Sequence, residues 1–235
     1  MKHAAIDSVH AFLSIASQRY FTEARGRWVF RGHSDARFDL KPSVGRGGHT
    51  AKDCAAYEKS LFDMFVREGA SYLSPLPVDE WEWLSVAQHH GLPTRFLDWT
   101  YNPLVALFFA VAADVDADGE LFALNTVAKA SQRTREKSPF DITRPAKYYP
   151  NIVSPRIRAQ EGLFIACAEP EKPLDGPLRD GWSIERYEIP KAGKASLRYE
   201  LFRLGVHASS LFPGVDGLAE RLKWQHRVLP LVRVA

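Results

Sequence analysis

The sequence has little cysteine, no long apolar run and almost no charge imbalance. Cys54 and Cys167 are its two cysteines and lie outside any Cys-x-x-Cys spacing, which argues against a zinc ribbon or a disulfide framework and predicts two buried thiols. The longest uninterrupted apolar run, residues 104–113, is about half of what a membrane-spanning helix needs. Asp7 and His10 interrupt any secretory leader. We therefore expect a cytoplasmic protein with no membrane partner.

The composition is that of an ordinary globular chain. Of the 235 residues, 46% are hydrophobic and 12% aromatic, which is enough to build a core and argues against disorder. Lys and Arg exceed Asp and Glu by 31 to 28, so no overall field requires a nucleic-acid partner. The length predicts a single domain over residues 1–235, since domains average about 150 residues.

Apolar spacing and capping residues predict the helices. Ser8 caps an N-terminal helix within residues 1–20, and Thr50 with Asp53 opens a second helix with Tyr57, Leu61, Met64 and Phe65 on its buried face. A third helix begins at Asp79 and ends before Gly91, and a fourth begins at Pro103. Two late helices are predicted around residues 195–204 and 216–223.

Short β-branched and aromatic runs predict the strands. They lie at residues 28–31, 120–124, 162–168 and 182–189. Because strands and helices do not alternate strictly, the pattern favours an α+β fold with a central mixed or antiparallel sheet flanked by helices.

Residues 129–158 form a basic segment that we interpret as a loop. It contains eight basic residues (Lys129, Arg133, Arg135, Lys137, Arg144, Lys147, Arg156 and Arg158) against Glu136 and Asp141, a net +6. The rest of the chain therefore carries −3. The segment is either a solvated loop or a surface that meets phosphate or an acidic partner.

The densest group of polar side chains lies in residues 88–100, between two apolar helices. Gln88, His89, Thr94, Arg95 and Asp98 fall within eleven residues around a Gly-Leu-Pro turn, so several can converge on one cleft. Structural explanations stay open: His89 as a hydrogen-bonded core histidine, and Asp98 as a helix cap or the ion-pair partner of Arg95. Adjacent His89 and His90 lack the four-residue spacing of zinc ligands, so we predict no metal site. No Walker, Gly-x-Gly-x-x-Gly or Gly-x-Ser-x-Gly motif is present.

Several short motifs together resemble the FRG domain, a bacterial family named for its Phe-Arg-Gly motif, some of whose members lie near defence or toxin genes. The resemblance covers nearly the whole chain. It rests on Trp28-Val29-Phe30-Arg31-Gly32, Leu40-Lys41-Pro42-Ser43, Glu80-Trp81-Glu82-Trp83-Leu84, residues 88–100, Asn102-Pro103-Leu104-Val105-Ala106-Leu107, residues 156–164 and Leu211-Phe212-Pro213-Gly214.

A second resemblance, to mono-ADP-ribosyltransferases, implies a mechanism and a transferase-like fold. That family has an Arg or His at the end of an early strand, a Ser-Thr-Ser strand that leads into an apolar helix, and a catalytic Glu or Gln on a later strand. Arg31 is similar to the first element. Residues 96–110 are similar to the second, although only Thr100 keeps a hydroxyl there. Gln160 or Glu161 corresponds to the third.

The resemblance implies NAD as the substrate. Arg31 or Arg95 would hold the pyrophosphate, since a guanidinium binds two phosphate oxygens at once. Gln160 or Glu161 would bind the ribose and stabilise the positive charge that develops when nicotinamide leaves. Trp99 or Tyr101 would stack on nicotinamide, and Gln88, Thr94 and Thr100 would complete the binding site.

Three functional hypotheses follow. The first is an NAD-dependent ADP-ribosyltransferase acting as a bacterial toxin or antiphage effector, with Arg31, His89, Asp98, Gln160 and Glu161 as candidate catalytic residues. Its acceptor, a protein or a nucleic acid, is unidentified, and its partners would include an antitoxin or another regulator. The second is a nucleic-acid-binding or nuclease module in which residues 129–158 grip phosphates and His89 with Asp98 act as acid and base. The third is a non-catalytic protein-interaction module.

Overall fold

A computed structural model describes residues 2–3, 5–23, 27–47, 53–113, 116–126, 136–151, 154–175, 178 and 181–232. The helices are α1 (Val9–Arg19), α2 (Cys54–Gly69), α3 (Glu80–His89), α4 (Pro103–Val111), α5 (Pro155–Ala159), α6 (Lys194–Arg203), α7 (Ala208–Leu211) and α8 (Val215–Val232). The strands are β1 (Lys2–His3), β2 (Trp28–His33), β3 (Phe96–Thr100), β4 (Gly119–Asn125), β5 (Ala146–Tyr148), β6 (Gly162–Ala166) and β7 (Ser183–Ile189).

The strands form one mixed sheet in the order β1-β7-β4-β2-β3-β6-β5. Neighbouring strands are antiparallel except β1 and β7, which are parallel. The predicted α+β class and the central mixed sheet flanked by helices are confirmed. No described helix is both long enough and apolar enough to cross a bilayer.

The buried hydrophobic residues form three clusters, each of which packs helices or loops against this sheet. The largest joins buried residues of α1, α4, α6 and α7 to β2, β4 and β7. A second lies on β2, β3, β4 and β6 under Leu40, Leu174 and Trp182. The third joins α2 and α3 to β3, β5 and β6. The buried, almost wholly apolar α4 packs on β2 at the centre of the molecule.

Helix starts follow the capping residues of the sequence. Ser8 Oγ accepts from Ala11 N, Asp79 caps α3, and Asn102 caps α4 with Pro103 at its first position. The N-terminal helix nevertheless covers only part of residues 1–20, because Lys2–His3 pairs with β7 before it. Asp53, predicted as the capping-box partner of Thr50, is itself the N-cap of α2, so the helix begins at Cys54 and not at Thr50, which lies outside the described residues.

The predicted buried face of α2 is wrong. Its buried residues are Cys54, Glu58 and Phe62, and Met64 is exposed. The difference arises because Glu58 forms an ion pair in the interior with Arg95, which turns the helix so that a charged residue faces inward. Both cysteines are buried free thiols, as predicted.

The basic segment differs from the predicted loop. Lys129, Arg133 and Arg135 lie outside the described residues, but the described part contains β5 and α5. Lys147 is buried in β5, where its Nζ donates to Thr126 Oγ1 at 2.5 Å. It therefore adds no charge to a solvated surface.

Candidate active site

A cavity of about 240 Å³ opens where strands β2 and β3 separate. The two strands are paired only at Phe30 and Thr100, whereas β2 pairs with β4 over six residues. We call this space the inter-strand cavity. It brings together seven of the predicted site residues: Arg31, Gln88, His89, Asp98, Trp99, Thr100 and Gln160.

The Phe-Arg-Gly motif places three different side chains around this opening. Phe30 is buried in the main core. Gly32 lies directly against α4, where an added Cβ would be 2.0 Å from the Ala106 carbonyl oxygen. Arg31, between them, lines the cavity with 15% of its side chain exposed.

Arg31 crosses the gap between the separated strands. Its Nη1 donates to the Asp98 carbonyl oxygen at 2.6 Å and lies 4.0 Å from Asp98 Oδ2, and its Nε donates to His33 Nε2 at 3.1 Å. Burial lowers the pKa of the Arg31 guanidinium, and the Asp98 carboxylate opposes that shift. Arginine still remains charged at any ordinary pH, so the cavity contains a positioned cation.

Gln88 holds the Asp98 carboxylate at the rim of the cavity. Thr94 Oγ1 donates to Gln88 Oε1 at 2.6 Å, and Gln88 Nε2 donates to Asp98 Oδ2 at 3.0 Å. This chain of hydrogen bonds fixes the orientation of the Gln88 amide. Thr94 is buried and does not line the cavity, so it positions Gln88 instead of binding a ligand.

His89 is the titratable base of the cavity. It is the last residue of α3. Gly91, with φ of 86°, follows in the left-handed conformation and prevents the helix from continuing. Burial lowers the pKa of His89, with further lowering by His90 and Arg156, while Asp98 raises it. The imidazole is therefore neutral at pH 7 and can accept a proton.

Arg95 does not belong to the cavity, and its predicted pairing with Asp98 is wrong. Its Nη2 lies 2.8 Å from Glu58 Oε2, with both side chains at most 2% exposed. Arg95 directly precedes β3 and Asp98 lies within it, so along this extended chain the two side chains are roughly 10 Å apart and point to opposite sides. Arg95 thus joins β3 to α2 and cannot hold a pyrophosphate in the cavity.

Gln160 and Glu161 point into different spaces. Gln160 lines the inter-strand cavity, and its Nε2 donates to the Leu211 carbonyl oxygen at 3.1 Å. Glu161 lines a neighbouring cavity instead. The Thr100 hydroxyl donates to the Gln160 carbonyl oxygen at 2.7 Å and accepts from Asn102 N at 3.0 Å, so it supports the turn on which Gln160 lies.

Arg156 is a cavity residue that the sequence did not predict. It lies on α5, lines the cavity and has its guanidinium carbon 4.8 Å from the centre of the Phe212 ring. The only signal for it was its place among the resemblance motifs, since its basic neighbours suggested a loop. The cavity thus has two guanidinium groups, and Asp98 is the single carboxylate among its described lining residues.

Comparison with known families agrees with the sequence motifs. Residues 26–119 match the FRG domain. The FRG match covers β2, α2, α3, β3 and α4 and includes Arg31, His89 and Asp98, whereas Arg156 and Gln160 lie beyond it. Searches of curated proteins and of solved structures give no match.

Proposed function

We propose that this FRG protein is an NAD-dependent ADP-ribosyltransferase whose inter-strand cavity binds NAD. The observation that carries the proposal is the pair of guanidinium groups, Arg31 and Arg156, that line one cavity with Asp98, the single carboxylate among the described residues of its lining. A dianionic pyrophosphate is the ligand that such a pair suits, because guanidinium groups donate charge-assisted hydrogen bonds to phosphate oxygens.

The cavity volume suits part of the dinucleotide. About 240 Å³ is below the roughly 300–1,000 Å³ of sites that enclose a whole drug-sized ligand. We assign it to the nicotinamide ribose and the adjoining phosphate, with the adenosine half outside. Trp99 lies beside this space, where its indole ring would pack against nicotinamide.

Each charged group has a role in the proposed transfer. The bond between the ribose C1 and the nicotinamide nitrogen breaks, and its electron pair leaves with neutral nicotinamide. Asp98 stabilises the positive charge that develops on the ribose. The acceptor's oxygen or nitrogen then bonds to C1, and its proton passes to neutral His89. Gln160 binds a ribose hydroxyl. Glu161, outside the cavity, has no catalytic role in this scheme.

Labelled NAD with a whole-cell lysate tests the proposal. With NAD labelled at its adenylate phosphate, we expect the purified protein to transfer the labelled ADP-ribose group to a component of the lysate. It should release an equal amount of nicotinamide. The Asp98→Asn variant should lose both reactions, while Asp39→Asn should not. Asp39 is a matched control because its side chain is 62% exposed and paired with Lys41, compared with 64% for Asp98.

Other outcomes separate the remaining hypotheses. Nicotinamide release without label transfer would indicate a hydrolase. Neither reaction, with a folded protein, would contradict the proposal and favour a nucleic-acid or protein-interaction module. A toxin or antiphage effector of this kind would also stop the growth of cells that express the wild type but not Asp98→Asn.

A further inference from the structure

The short helix α7 contacts two side chains of the inter-strand cavity. The carbonyl oxygen of Leu211, its last residue, accepts from Gln160 Nε2 at 3.1 Å. The ring of Phe212, the next residue, packs against the Arg156 guanidinium, whose carbon lies 4.8 Å from the ring centre. Gln160 and Arg156 both line the cavity, so the position of α7 determines where these two side chains lie.

A histidine caps α7 at its start. His207 Nδ1 accepts from Ser210 N at 3.1 Å, and His207 N donates to Ser210 Oγ at 3.0 Å. The two contacts form a reciprocal capping box. Because α7 spans only the four residues Ala208–Leu211, it has few backbone hydrogen bonds of its own. Such a short helix depends on its cap and on packing.

The cap at His207 requires an uncharged ring. Nδ1 accepts from Ser210 N only while it carries no proton, because a protonated imidazole is a donor at both nitrogens. Protonation would therefore remove the acceptor of the Ser210 N–H and place two N–H donors against each other. Asn and Ser, which are common capping residues, do not titrate in this way.

The surroundings of His207 favour the neutral ring. It packs beside Phe202 of α6, with the ring centres 5.6 Å apart, and near Phe108 of α4. Among the described residues that line the space beside it, the charged ones are Arg198 of α6 and Arg221 of α8, both positive. Burial lowers the pKa of His207 and Arg221 lowers it further, while a hydrogen bond with its own backbone raises it. The ring is therefore neutral at pH 7 and takes up a proton as the pH falls below about 6.5.

We propose that His207 is a positioning residue for the inter-strand cavity. Its neutral ring holds α7 in place and, through α7, holds the Gln160 amide and the Arg156 guanidinium in the arrangement that binds the ligand. Acid pH then acts on a histidine outside the cavity and displaces groups within it. The link from His207 to Gln160 concerns the protein alone, whereas the effect on NAD affinity rests on the proposed function.

NMR titration without NAD tests the link between His207 and Gln160. The Gln160 side-chain amide signal is assigned by its absence from the spectrum of Gln160→Met, and the midpoint of His207 is measured from its ring protons. We expect the Gln160 amide signal of the wild type to shift with the His207 midpoint. His207→Asn keeps a capping oxygen that does not titrate, so this shift should be absent there. His89, which also lines the cavity, titrates in both proteins and does not affect the comparison.

Titration calorimetry with NAD at pH 8 and pH 5 tests the consequence for the ligand. We expect NAD affinity to fall with acidification about threefold more in the wild type than in His207→Asn. The control His226→Asn, at an exposed histidine of α8, should behave as the wild type does. At pH 8, His207→Ala, which has no cap, should bind NAD about fivefold more weakly than the wild type, whereas His207→Asn should bind it equally well.

Three results would each overturn the proposal: a Gln160 amide signal that does not follow His207, the same pH dependence of NAD affinity in the wild type and His207→Asn, or full affinity of His207→Ala at pH 8. If circular dichroism shows that His207→Asn is unfolded, His207→Ser, a second cap that does not titrate, replaces it. Absence of NAD binding by the wild type would contradict the proposed function instead, and the NMR titration then decides the role of His207 alone.

Discussion

The Arg31 side chain bridges the gap between β2 and β3 and also presents a positive charge to a ligand. Two of its nitrogens are used by Asp98 and His33. Arg31 Nη2 has no hydrogen bond among the described residues and is available for phosphate. Lysine keeps the charge but replaces the planar fork by a single ammonium, so it cannot make these contacts together.

We therefore predict that Arg31→Lys lowers nicotinamide release by about tenfold or more, since a charge-assisted contact contributes roughly 1.5–3 kcal/mol. Arg37→Lys is the matched control, because Arg37 is largely exposed and pairs with Asp35. Steady-state NAD turnover measures the effect. Equal turnover in Arg31→Lys and the wild type would remove Arg31 from the site.

His33 makes the stability of the fold depend on pH. Burial, with the charges of Arg31 and Arg46, lowers its pKa to about 3, compared with about 6.5 in an unfolded chain. Between these two pKa values, His33 is protonated in the unfolded state and neutral in the folded state. The contribution of neutral His33 is complete above pH 6.5 and decreases as the pH falls toward 3.

From this shift we expect the free energy of unfolding to decrease by about 1 kcal/mol between pH 6.5 and 5.5 because of His33 alone. His33→Gln removes this titration while its amide oxygen can still accept from Arg31 Nε. Urea unfolding of both proteins across this range measures the difference. A parallel pH dependence in both would show that His33 is accessible to protons in the folded state.

At the scale of elements, the contact between β2 and α4 sets the shape of the inter-strand cavity. Gly32 allows the closest approach, and the cavity is lined by Ala106 and Phe109 from the same helix. A methyl group at residue 32 would force α4 away from the sheet, since packed backbones cannot absorb a 2.0 Å contact.

Gly32→Ala should accordingly lower the free energy of unfolding by roughly 1–3 kcal/mol. Gly193→Ala is the control, because no atom of the described residues lies within 4 Å of its added Cβ and its φ is −87°. Denaturant unfolding of the two variants compares them directly. Equal stabilities would mean that α4 can shift freely on β2.

The buried pair of Arg95 and Glu58 links α2 to β3 and determines stability instead of ligand binding. Burial raises the pKa of Glu58, while Arg95 lowers it. Arg95→Met would leave an unpaired buried carboxylate and should destabilise the protein by about 3–5 kcal/mol. The double variant Glu58→Leu with Arg95→Met should regain most of that stability.

Thermal unfolding measures the stability of both variants, and NAD affinity is then compared in the stable double variant. Wild-type affinity there is the expected result. A large loss of NAD affinity in a well-folded double variant would show that Arg95 contributes to NAD binding.

For the whole molecule, the sequence predicted local elements better than contacts between distant residues. The caps at Ser8, Asp79 and Asn102–Pro103 act within a few residues, so α1, α3 and α4 begin where local chemistry places them. Strands β1 and β5 are two and three residues long, too short to show a periodic pattern. They form because the backbone N–H and C=O groups at the edges of β7 and β6 pair with them.

The candidate site was predictable where its residues lie close together in sequence. Gln88 and His89 end α3 and Asp98 lies in β3, on either side of one short connection, and Arg31 was identified by its motif. The roles of Glu58 and Arg156 were not predictable, because a buried ion pair and a distant helix depend on the arrangement of the chain in space. The same limit explains why Gln160 and Glu161, adjacent in sequence, were assigned to one site.

The most direct test of the account is the affinity of the protein for NAD, measured by titration calorimetry on the wild type and on Arg156→Gln. Arg156 lies outside the FRG match, so its role depends on the three-dimensional cavity alone. Arg203→Gln, at an exposed arginine in α6, is the control. We predict that the wild type and the control bind NAD alike and that Arg156→Gln binds about tenfold or more weakly. No NAD binding by the wild type, or equal binding by all three proteins, would contradict the account.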